Sequence, residues 1–193
     1  MGRLIAAINI TCDGFMARQD GNLDWHFTYW DNQLCESLSK QLAQATAILL
    51  GRNTYIAMAN YWMPTRNSIT HAREDLVLSE LLNRTQKVVV SKTLKTPEWQ
   101  QTSLIGHKLT NEIRLLQSRS AKDIVILGSI KLVTSLAKLK LIDGYELWVH
   151  PIAIKNGIAL FGSITNETEL ILTSTETLQS GIVHLSYKVD HIR

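Results

Sequence analysis

Short apolar runs alternate with stretches of helical period along most of the chain. Leu4 to Ile10 is apolar enough for a buried strand, and a loop rich in Asp, Gly and Asn follows it through Trp25. Between Asp31 and Gln44, Leu34, Leu38 and Leu42 fall on one helical face. Ala45 to Leu50 reads as a second buried strand ending at Gly51, and Asn53 to Asn60 suits a short helix. Pro64 to Asn67 has no period, whereas Glu74 to Asn83 is again helical. Lys87 to Val90 is a third buried strand, closed by Ser91 and Lys92. A loop containing Pro97 leads to a short strand near Leu104, and Asn111 to Ser118 reads as a helix. Asp123 to Leu127 forms another strand, ending at Gly128 and Ser129. Ile130, Val133, Leu136 and Leu139 then recur at helical spacing.

The last third changes character. Tyr145 to Val149 is a strand reaching Pro151, and two segments of β period follow. In the second, Val183, Leu185, Tyr187 and Val189 alternate with His184, Ser186 and Lys188, the pattern of a half-buried strand. Gln179-Ser180-Gly181 supplies a turn before it. The pattern predicts an α/β fold: a mixed, mostly parallel sheet covered by helices and finished by a C-terminal antiparallel hairpin. No repeat or linker interrupts it, so residues 1–193 read as a single domain.

Composition narrows the function. With 45% apolar residues the chain can bury a sizeable core. The net charge of +3 is small and Lys and Arg are scattered, which argues against nucleic acid as a partner. It suits an anionic small ligand met by a few cationic side chains. The N-terminal apolar run before Asp13 is too short to cross a membrane, so no membrane partner is expected. Cys12 and Cys35 form no CxxC pair, and the six His residues form no HxH or HExxH pattern. Hence neither a disulfide scaffold nor a metal site is expected, and a reduced, cytoplasmic protein is the simplest account.

Three buried strands end in small or polar residues that open onto a helix or loop: Gly51-Arg52-Asn53-Thr54, Ser91-Lys92 and Gly128-Ser129. In open α/β sheets, ligands bind beyond the carboxyl ends of the strands. A glycine there lets backbone approach a phosphate, and a following helix offers unpaired N–H groups at its positive end. Arg52 and Lys92 would add charge-assisted bonds to phosphate oxygens. A glycine after a strand is equally a simple turn, and Arg52 equally a surface residue. The GxGxxG and Walker A patterns are absent, so a nucleotide site here is of another kind.

The order IAAINITCDGFMA, LDW, ILLGRNTY, VVVSKTL, ILGSIKLVTSL, LIDGYELWVHPI and ALF resembles the dihydrofolate-reductase-like superfamily. More closely it resembles the branch of the riboflavin-biosynthesis C-terminal reductase domain, in stand-alone form, over Arg3 to Phe161. The resemblance implies a three-layer, NADPH-dependent reductase fold, commonly a homodimer. It implies that Gly51, Arg52, Asn53 and Thr54 grip cofactor phosphates, and that Ser91 and Lys92 lie near the adenosine ribose and its 2′-phosphate. Gly128 and Ser129 correspond to the turn against the pyrophosphate, where relatives can carry a cis peptide. Ala6 and Ala7 correspond to first-strand residues beside the nicotinamide, and Met16 and Ala17 to its covering loop.

The implied chemistry is hydride transfer to a small heterocycle, a pterin or pyrimidine. The closest named activity is 5-amino-6-(5-phosphoribosylamino)uracil reduction. A carbonyl or imine that accepts hydride must also gain a proton, and Asp13 and Asp31 are the catalytic candidates. Asp13 precedes Gly14 and is equally a turn former; Asp31 is equally a helix N-cap. Trp25 and Trp62 either wall a pocket or pack in the core. The chain departs from the riboflavin branch at IAMANYWMPTRNS, at Ile154-Lys155-Asn156-Gly157 and at Gly144, and these changes bear on the phosphoribosyl part of a substrate. Dihydrofolate reduction, or nucleotide binding without catalysis, are the alternatives.

Overall fold

The computed structural model describes residues 1–65, 73–163 and 167–190. Their elements run β1 (Leu4–Thr11), β2 (Phe15–Ala17), α1 (Asp24–Phe27), α2 (Asn32–Ala43), β3 (Ala45–Gly51), α3 (Arg52–Thr65), α4 (Arg73–Arg84), β4 (Gln86–Val90) and β5 (Thr102–Ile105). After them come α5 (Leu109–Arg119), β6 (Asp123–Leu127), α6 (Ile130–Lys138), β7 (Gly144–His150), β8 (Ile158–Ala159), β9 (Leu170–Thr177) and β10 (Val183–Val189). Eight strands form one sheet in the order β5-β4-β3-β6-β1-β7-β10-β9. The first six are parallel, and β10 is antiparallel to both β7 and β9. β2 and β8 make a separate antiparallel pair.

Both sheet faces are covered, which is why the central strands are apolar at nearly every position. Leu4, Ala6, Ile8, Leu49 and Ile126 pack on one side with Ile113 of α5 and Leu132, Val133 and Leu136 of α6. Ala7, Ile48, Leu50, Val89 and Val125 pack on the other with residues of α2, α3 and α4, among them Leu34, Tyr55 and Leu82. The result is the expected three-layer α/β architecture with its terminal hairpin.

Differences from the sequence pattern have local causes. α3 begins at Arg52 and runs to Thr65, so it takes in the first two positions of the aperiodic 64–67 segment; the rest of that segment lies outside the described residues. The β10 alternation does not separate a buried from an open face: Val183 to Tyr187 are all half-buried. His184 stacks on Trp148 at 4.4 Å and bonds Glu146 at 2.8 Å, so the polar face of the strand is occupied by a cross-strand network. Lys87, inside an apolar run, is fully buried because its ammonium donates to the carbonyls of Leu82, Asn83 and Thr85 at 2.8–3.0 Å, closing the end of α4.

Candidate functional site

Strands β4, β3, β6, β1 and β7 are consecutive and parallel, so their carboxyl ends line one edge of the sheet. Four strand spacings of about 4.8 Å make this edge about 19 Å long. Gly51 ends β3 and leads directly into α3, and Gly128-Ser129 joins β6 to α6.

The two joints are bonded to one another. Ser129 Oγ accepts the Gly51 amide at 2.7 Å and donates to Thr54 Oγ1 at 2.8 Å. Gly128 and Ser129 both have positive φ, +54° and +61°. Glycine tolerates this conformation; for a serine it is strained, and the two bonds to its hydroxyl offset the strain. No described peptide bond is cis. Because the Ser129 side chain reaches across to α3, it does not cap its own helix. The starts of α3 and α6 are therefore tied side by side at the sheet edge; in α6 the Leu132 and Val133 amides turn back to the Ser129 carbonyl at 2.8 and 3.0 Å, and the amides before them have no carbonyl one turn back within the helix. Together with the helix dipoles, this favours an anion.

Arg52 Nη1 donates to Thr93 Oγ1 at 3.0 Å, tying the start of α3 to the loop after β4. That loop is shaped by Ser91, whose hydroxyl accepts the amides of Thr93 and Leu94 at 3.2 and 3.0 Å. Beside it opens a cleft of about 420 Å³, lined by Val90, Ser91, Lys92 and the Ile105–Leu109 segment. His107 and Lys108 of that lining were not singled out from the sequence. They lie in a loop without hydrophobic period, and only the parallel pairing of β5 with β4 brings them beside Lys92.

Ala6 and Ala7 are buried in β1, where Ala7 pairs with Leu127 and its carbonyl accepts the Gly128 amide at 3.5 Å. Met16 and Ala17 are buried in β2, held by pairing with β8. The Asp13 carboxylate is bonded through both oxygens, to Thr11 Oγ1 at 2.5 Å and to the Lys155 amide at 2.9 Å. Its pKa lies below the ordinary value: slight desolvation works against ionisation, and the bonds from Thr11 and Lys155 outweigh it. Asp31 caps α2 by accepting the Leu34 amide at 2.8 Å. Both carboxylates thus have structural partners.

Beyond the ends of β1 and β7, Trp25, His26, Tyr29 and His150 form a cluster of rings. His150 is fully buried and its Nε2 lies 3.0 Å from Asn9 Oδ1. Burial, with a smaller contribution from the neighbouring His26, pushes its pKa down to about 4, so it is neutral near pH 7. His150 Nδ1 and Trp25 Nε1 are buried without a hydrogen-bond partner. Each such orphan costs about 1–3 kcal/mol. Trp62 is also buried, against Trp30 at 6.2 Å and Tyr61 at 4.8 Å.

The fold has counterparts among known proteins. The uncharacterized protein YyaP of Bacillus subtilis is 28% identical over 185 residues, covering 96% of this chain and 94% of its own. A pyrimidine reductase-like protein from Corynebacterium diphtheriae superposes with a TM-score of 0.65 at 17% identity, covering 98% of this chain and 92% of that one. Dihydrofolate reductase from Enterococcus faecalis, complexed with NADP(H), superposes with a TM-score of 0.60 at 13% identity, over 98% and 97% of the two chains. The Thermotoga maritima deaminase/5-amino-6-(5-phosphoribosylamino)uracil reductase gives a TM-score of 0.67 at 11% identity; this chain covers 57% of it and is itself covered to 98%. Residues 3–184 match the model of the RibD C-terminal domain, and the chain belongs to that family.

Proposed function

We propose that this protein is an NADPH-dependent oxidoreductase that reduces a small pterin- or pyrimidine-like heterocycle. The observation that carries the reading is the bonded joint of Gly51, Thr54 and Ser129, which ties two helix starts together on the sheet edge. A Cβ at Gly51 would lie 2.7 Å from Ser129 Oγ, so the close approach of the two joints needs glycine.

In this reading Gly51, Arg52, Asn53 and Thr54 hold phosphates from the β3 side, and Gly128 and Ser129 from the β6 side. Ser91 and Lys92, with His107 and Lys108, line the cleft that takes the adenosine end, where two ammonium groups favour a 2′-phosphate. Ala6, Ala7, Met16 and Ala17 border the nicotinamide end. NADPH, when bound, supplies the hydride; the protein orients the two reactants and excludes water. We assign Asp13 to holding the Lys155 loop in place and Asp31 to the start of α2, each next to the reacting region rather than as its proton donor.

Family membership supports reduction of an aminouracil ribosyl phosphate as the first activity to assay, with dihydrofolate second. Exposed Ile171 and Leu172 on the outer strand β9 support a homodimer, and Cys12 and Cys35, outside any disulfide, support the reducing cytoplasm. No described helix is long and apolar enough to cross a membrane. Fluorescence titration with NADPH and NADH is the test: tighter binding of NADPH is expected, and binding of neither overturns the reading. NADPH consumption with each candidate substrate then separates a reductase from a nucleotide binder.

A further inference from the structure

We propose that Trp25 and His150 form the recognition pair for the second substrate, an uncharged planar heterocycle presenting an adjacent hydrogen-bond donor and acceptor, as a lactam edge does. The inference rests on the reductase reading and names the chemistry of that site.

Two independent observations carry it. The first is polar. Trp25 Nε1 is a donor only, and it is buried without a partner. Taking Asn9 Oδ1, 3.0 Å away, as the acceptor assigns the ring hydrogen of His150 to Nε2 and leaves the lone pair on Nδ1, which is also buried without a partner. One unpaired donor and one unpaired acceptor thus belong to rings 5.0 Å apart at 80°. A carbonyl beside an N–H satisfies both; a cation or a carboxylate satisfies at most one.

The second is the placement and lining of the cluster. His150 pairs with Thr11 across β7 and β1, so the pair lies on the same sheet edge as the Gly51–Ser129 joint, two strands further along from β6. Around it the rings are continuous. His26 contacts Phe27 at 4.4 Å and Trp30 at 5.1 Å, and Phe27 is 60% exposed. Such a wall accepts a flat aromatic ring. Tyr29 closes over His150 at 5.7 Å and is tied by its hydroxyl to the Pro151 carbonyl at 3.3 Å, a long bond that an entering ring displaces.

The test uses pteridine-2,4-dione, and its 1,3-dimethyl derivative in which the N–H groups are blocked, on the full chain with and without NADPH. The readout is the indole ¹⁵N–¹H resonance of Trp25, identified by its absence in Trp25→Phe. Pteridinedione is expected to shift this resonance and to bind at least tenfold tighter than the dimethyl derivative, and His150→Phe to remove that difference. Equal binding of the two compounds to the unmodified protein overturns the proposal, as does an unmoved Trp25 resonance or absence of binding. The comparison of compounds needs no variant, so it stands even where Trp25→Phe or His150→Phe fails to fold. NADPH binding without a pteridinedione effect removes the pair and leaves the reductase reading intact. A pteridinedione effect in a protein that binds no NADPH does the reverse.

Discussion

Ser129 and Gly51, 78 residues apart in the chain, are joined by a single hydroxyl, whose oxygen accepts the Gly51 amide at 2.7 Å. The strained serine of one strand end thereby sets the position of another. Because that hydroxyl also donates to Thr54, it is fixed in both directions and cannot rotate away from an intruding methyl.

Gly51→Ala places a Cβ 2.7 Å from Ser129 Oγ and 3.3 Å from its Cβ. We expect a loss of about 1–3 kcal/mol from overpacking. At roughly 2–4 °C per kcal/mol for a chain of this size, thermal unfolding shifts by several degrees, and NADPH binding is lost with it. In a Ser129→Ala background the same substitution should cost less, because the obstructing hydroxyl is gone. A strictly additive double mutant would show that the two residues do not meet.

Lys92 lines the cleft assigned to the adenosine end. Lys92→Ala should weaken NADPH binding about tenfold, near 1.4 kcal/mol, and leave NADH binding within twofold. Rising salt should reduce the NADPH preference of the unmodified protein in the same direction, since an exposed cation is screened. Equal losses for both cofactors would place Lys92 away from the 2′-phosphate.

Stability should depend on pH through His150. A histidine in the unfolded chain titrates near about 6.5, whereas His150 titrates at about 4. Between these values the unfolded chain binds a proton that the folded chain refuses, so stability rises with pH over that window. His150 imposes no penalty above the upper value; as the pH falls from there towards 4, stability drops by up to about 3 kcal/mol. The pKa of half-buried His26 is also lowered, chiefly by desolvation, and acts with the same sign. Urea unfolding at pH 7.0 and 5.0 measures the drop, which His150→Gln should make shallower; an unchanged slope would mean that His150 is protonated in the fold.

Asp13 gives a contrasting expectation. Its carboxylate accepts from Thr11 and from the Lys155 amide, and the folded pKa is depressed. The stability it contributes is present above the unfolded value near about 3.9 and is lost as pH falls through the lower folded value. Asp13→Asn should weaken the Lys155 loop by about 1 kcal/mol or less and leave the pH profile of catalysis unshifted. A lost limb in that profile would make Asp13 the proton donor.

Much of the fold was legible because strands buried on both faces leave unbroken apolar runs. Ile48 to Leu50 and Ile124 to Ile126 are fully buried, with neighbours on both sides of the sheet. The strand tips were legible too, since Gly51 and Gly128 interrupt those runs. Partners across the fold were not. Nothing near Ser129 in the chain announces Gly51, 78 residues away, and nothing near Lys155 announces Asp13. The one-turn helix α1 and the β2–β8 pair are too short for any period to register. The strand residues around His150 do not announce Trp25 either, and only the folded chain sets the two rings together.

The central place of β1 carries a consequence for how the chain matures. Leu4 must find Ile124, and Ile5 must find Gly144, so the first strand meets its neighbours only after about 120 further residues exist. At a synthesis rate of about 5–20 residues per second, that leaves an apolar octapeptide waiting roughly 6–24 s on the ribosome. The segment most needed at the middle of the finished sheet is also the longest without shelter. A chaperone that grips extended apolar peptides should therefore be found on nascent chains of this protein, and should leave when β6 and β7 emerge.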